Sequence, residues 1–236
     1  MKSTNVANPE IPMKQDVALP HKTHQLHVAY KCIKGAFDIT SSFLCGILLI
    51  IPCAFIALII FLIDPGNPFY MQERVGQYGS PIKIIKFRTM VKNADCLETM
   101  LTPEQYEQYI KEFKLDDDPR LLPYNVGRFM RKLSIDEIPQ IIYNVFFKRN
   151  MSVVGPRPIL REELEMHYTP DEQNLLVSVK PGLTGFWQAY GRSDVHYGNG
   201  KRQKMELYYA RHCSLSFDMK IIFHTIKAVL TQKGAK

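Results

Sequence analysis

The sequence predicts an α+β fold that is mainly helical, in which a small cytosolic domain is joined to an N-terminal membrane helix broken at a proline. Three observations predict it: an uncharged apolar run at 39–63, two short β-type runs around a turn, and later segments with apolar residues at helical spacing. We therefore divide the chain into a polar flexible leader (1–30), a membrane segment (31–64) and a cytosolic domain (65–236).

Composition restricts the partners of this chain. Its 236 residues suffice for one compact domain with an anchor, and its formal net charge of +7 indicates anionic partners. Nucleic acid is not expected, because the aromatic residues do not alternate with the cations as a base-stacking surface requires. The 5 cysteines lack paired spacing, so neither a disulfide framework nor a zinc site is expected.

The apolar run at 39–63 is long enough to cross a bilayer. Pro52 lies near its middle, removes one backbone donor and frees the carbonyl of Leu48. Both flanks are basic, which favours a cytosolic position for both ends; the cations are Lys31, Lys34, Arg74, Lys83, Lys86 and Arg88. A helix-break-helix hairpin that re-enters one leaflet satisfies this, but the residues alone leave a kinked spanning helix equally open.

The cytosolic part begins with a predicted β-hairpin at 69–75 and 82–87, around a turn at 77–80. Proline at 103 starts a charged helix, and 126–133 forms a short basic amphipathic helix. Residues 138–147 are predicted to be buried helix. Residues 214–230 form a basic amphipathic helix that packs on the core or touches the membrane.

The adjacent acidic residues Asp136 and Glu137 are the candidate catalytic pair. Ser134 and Glu137 also match a capping box, so the pair taken alone is a helix start. An aspartate can nevertheless attack a phosphoryl group when cations screen its charge and a metal orients the reactants. Cations surround this pair in the sequence: Arg120, Arg128, Arg131, Lys132 and Arg157.

Two loops beyond the acidic pair suit anionic or sugar ligands. Arg157 lies between two prolines, so little conformational entropy is lost when its guanidinium binds phosphate, although a plain tight turn is the alternative. A glycine-bearing loop at 180–185 precedes Gln188 and Arg192, which are plausible polar contacts. Trp187, the only tryptophan, is suited to stack on a base or to lie at the lipid interface.

Taken in order, these motifs resemble the bacterial sugar transferase family, the monotopic polyprenyl-phosphate phosphoglycosyl transferases. The residues that carry the resemblance span most of the chain: Gln72-x-Arg74-x-Gly76, Lys86-Phe87-Arg88-Thr89-Met90, Asp118-Pro119-Arg120, Val126-Gly127-Arg128-x-x-Arg131, Ser134-x-Asp136-Glu137-x-Pro139-Gln140, Met151-Ser152-x-Val154-Gly155-Pro156-Arg157-Pro158 and Lys180-Pro181-Gly182-x-Thr184-Gly185-x-x-Gln188-x-x-Gly191-Arg192. The family's membrane segment is re-entrant, so the resemblance favours the hairpin over a spanning helix.

The resemblance implies transfer of a phosphosugar from a UDP-sugar to polyprenyl (undecaprenyl) phosphate, releasing UMP, as the first membrane step of surface glycan synthesis. It implies a covalent intermediate on Asp136, Mg²⁺ held by Asp136 and Glu137, and substrate or phosphate contacts from Arg88, Arg128, Arg131, Arg157, Gln188 and Arg192. The expected location is the cytoplasmic face of the bacterial inner membrane, in contact with lipid. A homodimer is left open.

Three further points stay open from the sequence. One alternative is a membrane-anchored glycosyltransferase that releases UDP, and another is a non-catalytic basic membrane module. Glu137 is either a base or a metal ligand. Glu206 stands where the family usually has an aspartate, so a role in metal or sugar binding is undecided.

Overall fold

The computed structural model describes residues 28–112, 115, 117–191 and 200–230, so most of the predicted leader lies outside the described part. Its helices are α1 (Val28–Ile63), α2 (Leu97–Met100), α3 (Pro103–Glu112), α4 (Val126–Lys132), α5 (Arg161–His167), α6 (Pro170–Leu176), α7 (Phe186–Tyr190), α8 (Lys201–His212) and α9 (Leu215–Leu230). Its strands are β1 (Phe69–Val75), β2 (Pro81–Phe87), β3 (Ser152–Val154) and β4 (Gly182–Thr184). Mainly helical content with small sheets confirms the α+β, mainly helical part of the predicted fold class.

Helix α1 continues through Pro52 without leaving helical geometry. The prediction of two helices separated by a break at this proline is therefore wrong. The physical reason is that a proline ring fixes φ at a helical value, so one missing hydrogen bond need not interrupt the helix. The re-entrant path is a separate matter and stays a prediction.

Most of α1 is not covered by the rest of the protein. It is the one helix among the described residues that is long and apolar enough to cross a membrane. Only four of its residues are buried: Asp38, Ser42, Gly46 and Ile60. Large apolar side chains are exposed along its middle, among them Phe43, Leu44, Ile47, Leu48, Ile50, Ile51, Phe55 and Leu58. An apolar surface of this extent indicates association with a membrane.

The predicted hairpin is confirmed. Strands β1 and β2 are antiparallel, with Phe69 opposite Phe87 and Val75 opposite Pro81. Because side chains alternate between the faces of a strand, this register places Arg74 and Lys86 on the same face as Ile84. The hairpin therefore presents two cations beside an apolar residue that is 1% exposed.

A second, parallel sheet joins β3 to β4, with Ser152 opposite Gly182 and Val154 opposite Thr184. The two backbones approach so closely that a Cβ atom added to Gly182 would lie 2.0 Å from the amide nitrogen of Gly155. Only glycine fits such an approach. These glycines hold the Arg157 loop directly against the loop that the sequence analysis identified as glycine-bearing.

Helix α1 is attached to this domain by two buried aspartates, which we call the anchor contacts. Asp38 of α1 accepts hydrogen bonds from the Ser152 hydroxyl (3.0 Å) and from the backbone N–H of Val153 (2.9 Å). Asp218 of α9 accepts from Tyr30 at 2.9 Å and from Lys34 at 2.8 Å, both on α1. Asp218 also accepts from the Tyr209 hydroxyl at 2.7 Å.

The far end of α1 contacts the same domain. Ile60 is fully buried in a cluster with Phe87, Leu122 and Met130. Just past the helix, Asp64 pairs with the guanidinium of Arg88 at the end of β2. Both ends of α1 are thus held by the domain that contains the candidate site.

Candidate active site

A solvent-connected cleft lies between the hairpin and the paired glycine loops. Three cations, two amides and a carboxylate contribute to its wall, together with apolar residues and a glycine. The lining residues are Arg74, Ile84, Lys86, Glu137, Gln140, Arg157, Pro158, Gly182, Leu183 and Gln188. A cleft with this excess of positive charge is suited to an anionic ligand.

The acidic pair lies on a tight 3₁₀ turn, Ile135–Glu137, at the edge of this cleft. Ser134 precedes it in the left-handed region (φ 56) and its side chain makes no capping hydrogen bond, so the predicted capping box is wrong. Ser134 does not cap this turn because its left-handed backbone conformation turns the chain sharply just before the acidic pair. The predicted buried helix at 138–147 is realised mainly as a π-helix over Ile141–Phe147.

Lys86 connects the two carboxylates. Its ammonium lies 2.6 Å from Oε1 of Glu137 and 4.0 Å from Oδ2 of Asp136. Burial raises the pKa of Asp136 to about 6, with the nearby Glu137 acting in the same direction, while Lys86 and Arg131 oppose the shift. Asp136 is thus ionised at neutral pH but poorly solvated, which suits a nucleophile.

Arg157 is fixed from two sides. Its backbone N–H donates to Oε2 of Glu206 (3.2 Å), and its guanidinium lies 5.5 Å from the ring of Trp187. Arg202 lies over the same ring at 4.4 Å. Trp187 is only 7% exposed, so the predicted roles in base stacking and at the lipid interface are wrong, since both need an accessible ring. Its position instead allows cation–π contact with two arginines.

Arg74 is a second cation of the cleft. It forms an ion pair with Glu163 at 3.6 Å, and Arg202 reaches the other oxygen of that carboxylate at 3.4 Å. Burial, and then the neighbouring charge of Arg157, lower the pKa of Arg74 to about 10, which leaves it charged at neutral pH. Glu163 thus contacts both Arg74, which lines the cleft, and Arg202, which does not.

Other predicted cations have different positions. Arg88 binds the carboxylate of Asp64 and the backbone carbonyl of Asn67 (2.9 Å). Arg131 donates to the hydroxyl of Thr89 at 2.9 Å and influences Asp136 electrostatically. Neither lines the cleft.

Arg128 and Arg192 complete the set of predicted cations. Arg128 pairs with Asp117 at 2.5 Å on the surface, where the two side chains are 54% and 90% exposed. Arg192 lies outside the described residues. Among the cations predicted as ligand contacts, Arg157 is the one that lines the cleft described here, and Gln188 lines it too.

Three residues of the cleft wall were not among the predicted site residues: Arg74, Lys86 and Gln140. For Arg74 and Lys86 a signal was available in the predicted hairpin, because its pairing register places both cations on one face. Gln140 follows Asp136 by about one helical turn, a spacing that brings side chains together. Glu206 lies behind Arg157 and not in the cleft wall, and burial raises its pKa to about 7.

A metal ion has partial support from the residues present. Within the described ranges no group of three or more His, Cys, Asp or Glu side chains could hold one. Mg²⁺ bound with a substrate diphosphate needs only one or two protein carboxylates, and Asp136 and Glu137 provide that number. Glu137 is half-buried and would exchange its contact with Lys86 for the metal.

The fold and site define a class: a protein attached to a membrane by an apolar helix, with a buried carboxylate beside a cation-lined cleft. The family described as bacterial sugar transferase matches residues 29–232. The chain therefore belongs to the bacterial sugar transferase family, which confirms the predicted resemblance and, at the level of the family, the prediction of a transferase.

Similar proteins agree with this membership. The chain is 36% identical over 220 residues to an exopolysaccharide production protein ExoY of Sinorhizobium fredii, covering 92% of this chain and 94% of that protein. It is 40% identical over 206 residues to a UDP-galactose-lipid carrier transferase of Erwinia amylovora, covering 86% of this chain. It is 39% identical over 211 residues to an undecaprenyl-phosphate galactose phosphotransferase of Salmonella typhimurium, again covering 86% of this chain. The chain spans only 41% of the length of each of these two transferases.

Proposed function

We propose that this protein transfers a phosphosugar from a UDP-sugar to polyprenyl phosphate, giving polyprenyl-diphosphate-sugar and UMP, as the first membrane step of surface glycan synthesis. The observation that carries the proposal is the buried Asp136 beside Lys86, at the edge of a cleft that Arg74 and Arg157 also line. The names of relatives support the acceptor, since one is an undecaprenyl-phosphate galactose phosphotransferase.

In the proposed first step, a carboxylate oxygen of Asp136 attacks the β-phosphorus of the UDP-sugar. The bond from that phosphorus to the bridging oxygen breaks, and UMP leaves with the electron pair. Lys86, Arg74 and Arg157 stabilise the charge that develops on the phosphate oxygens. The burial that raises the pKa of Asp136 also makes its carboxylate a stronger nucleophile.

In the second step, an oxygen of polyprenyl phosphate attacks the same phosphorus and the bond to Asp136 breaks. The carboxylate is regenerated and the phosphosugar is carried by the lipid. Asp136 and Glu137 would hold Mg²⁺ when the diphosphate is bound, and the metal would supply further charge neutralisation. Arg88, Arg128, Arg131 and Arg192 stay predicted phosphate contacts.

We propose that α1 bends at Pro52 without a break and re-enters one leaflet, and that the domain lies on the cytoplasmic face of the bacterial inner membrane. Attachment of both helix ends to one domain supports this path, as do the exposed apolar middle and the basic flanks. Each methylene of the lipid acceptor contributes about 0.8 kcal/mol to its retention in the bilayer. The site must therefore lie where the lipid phosphate is.

Purified protein in detergent, supplied with undecaprenyl phosphate, Mg²⁺ and a panel of UDP-sugars, tests the proposal by release of UMP. We expect UMP release that depends on the acceptor, and a loss of at least about a thousandfold in Asp136→Asn. Asp171→Asn is the matched control, because that carboxylate is exposed in the first turn of α6 and lies outside the cleft.

Three results would contradict the proposal. Release of UDP in place of UMP would indicate a glycosyltransferase. Full turnover in Asp136→Asn would exclude the proposed nucleophile. Absence of turnover with every donor would favour a non-catalytic basic membrane module.

A further inference from the structure

Gln140 is a buried amide without a partner for its nitrogen. It lines the cleft, is only 2% exposed, and its Nε2 has no hydrogen-bond acceptor among the described residues. A buried polar group without a partner costs about 1–3 kcal/mol, so native proteins rarely leave one in place. An unsatisfied donor at this position is expected to meet an acceptor when a ligand fills the cleft.

Gln188 has an unpartnered acceptor, whereas Gln140 has an unpartnered donor. Its Oε1 is buried and has no donor within the described part of the chain, and Gln188 also lines the cleft. Its position depends on Gly185, since a Cβ atom there would lie 2.7 Å from this oxygen. One wall group therefore lacks an acceptor while another lacks a donor.

Two amides outside the cleft have hydrogen-bond partners within the fold. The side chain of Asn144, one helical turn after Gln140, accepts from the N–H of Ile85 (3.1 Å) and donates to the carbonyl of Lys83 (2.8 Å). Gln173 donates to the carbonyl of Tyr168 at 2.9 Å. The unpartnered amide atoms of Gln140 and Gln188 therefore differ from these two partnered amides, as expected for groups that meet a ligand in the cleft.

The chemistry of these amides selects a class of ligand group. A hydroxyl both donates and accepts a hydrogen bond, so it can satisfy an amide nitrogen and an amide oxygen. Phosphate oxygens only accept, and the charged side chains Arg74, Lys86 and Arg157 in the same wall suit them better. Gln140 lines the same cleft as Glu137, the neighbour of Asp136, and the phosphosugar would be held in that cleft.

We propose that Gln140 and Gln188 bind hydroxyl groups of the donor sugar. This inference rests on the proposed function, whose phosphosugar would lie in this cleft. It assigns the cations of the cleft to the diphosphate and the neutral amides to the sugar.

The test combines Gln140→Met with altered donors. Methionine matches glutamine in length but neither donates nor accepts strongly, so the shape of the wall is kept. With the best UDP-sugar of the panel, we expect the variant to lose roughly ten- to hundredfold in kcat/KM. The wild-type protein should lose a similar factor with the monodeoxy analogue that lacks the contacted hydroxyl. The variant should lose no further factor with that same analogue.

Gln173→Met is the matched control, because it makes the same change at a glutamine outside the cleft. Gln188→Met provides a second variant, which should respond to a hydroxyl of its own. Thermal unfolding of every variant separates a binding defect from a folding defect.

The outcomes are distinguishable from failure of the proposed function. If the wild-type protein releases UMP but Gln140→Met and Gln188→Met, both folded, keep full kcat/KM, the sugar contact alone is overturned. A loss in Gln140→Met that is equal for the parent donor and all deoxy analogues would place Gln140 on the phosphates and would also overturn it. If the wild-type protein releases UMP from no donor, the proposed function fails and this inference fails with it.

Discussion

The anchor contacts and the cleft treat buried polar groups in opposite ways. At the anchor, each aspartate has several donors: Asp38 receives two hydrogen bonds through one oxygen, and Asp218 receives three. In the cleft, the buried side-chain amides of Gln140 and Gln188 each have an unpartnered atom. The first region is arranged for stability, and the second keeps groups unsatisfied that a substrate would satisfy.

Substitutions at the anchor contacts and at the cleft should therefore change stability in opposite directions. Removing a polar group from the anchor leaves its partners unsatisfied and should destabilise the protein. Removing a poorly solvated charge from the cleft relieves a cost, so it should stabilise the protein while activity is lost.

The largest effect on stability is expected for Asp38→Ala. The substitution leaves the Ser152 hydroxyl and the Val153 N–H buried without an acceptor, which should lower the free energy of unfolding by about 4 kcal/mol. Denaturant unfolding in detergent measures it. Asp38→Asn is the matched control, because an amide oxygen can still accept both bonds, and its loss should be clearly smaller. Equal stability of all three proteins would show that the anchor does not hold the helix.

Asp136→Asn is expected to raise the free energy of unfolding, in contrast to Asp38→Ala. The folded-state pKa of Asp136, about 6, is above its ordinary value of 3.8, so the folded protein binds the proton more tightly. Stability is therefore lost as pH rises from about 4 to about 6, and an asparagine escapes this loss. We expect the variant to be roughly 2–3 kcal/mol more stable at pH 8 and equal to wild type near pH 3. Unfolding followed across this pH range measures the difference. A variant less stable than wild type at pH 8 would show that the buried Asp136 carboxylate does not destabilise the fold.

A smaller effect, on kinetics, is expected for Lys86→Met. The ammonium lies 4.0 Å from Asp136 and favours its ionised form, so its removal should raise the pKa of Asp136 further. The acid limb of the pH–rate profile should then move to higher pH, and the ratio of kcat/KM at pH 6 to that at pH 8 should fall. Lys83→Met, on the same strand, is the control. An unmoved acid limb would show that another group sets it.

Much of the fold was predictable because the deciding signals are local. The β-hairpin follows from two β-type runs around a turn, and α3, α4 and α9 follow from apolar spacing and a proline start. The glycine loops and Arg157 were also found from sequence, since rigid and small residues mark a tight loop. What was missed depends on contacts between distant segments. Arg74 and Lys86 enter the site through strand pairing, and Trp187 is buried in a core cluster assembled from distant segments, with two arginines beside its ring.

Two predictions made from local sequence patterns, at Pro52 and Ser134, were wrong for physical reasons. The break at Pro52 was overestimated, because a proline removes one hydrogen bond without forbidding helical dihedral angles. The capping box at Ser134 fits the sequence pattern, but the left-handed conformation of that residue is set by the turn that brings Asp136 to Lys86. Both cases are places where tertiary contacts decide between local options.

The smallest effect is expected at the surface, for Asp117→Asn. This substitution breaks the exposed pair with Arg128, and exposed pairs contribute about 0.5 kcal/mol or less, so stability should hardly change. The kinetics are more informative, because the change frees the Arg128 guanidinium, which the sequence predicts as a phosphate contact. If Arg128 binds the anionic acceptor, the KM for polyprenyl phosphate should fall in Asp117→Asn and rise in Arg128→Ala, with kcat unchanged. Equal KM values in both variants would confine phosphate contacts to cations other than Arg128, and the surface would then differ from both the anchor and the cleft in contributing to neither stability nor binding.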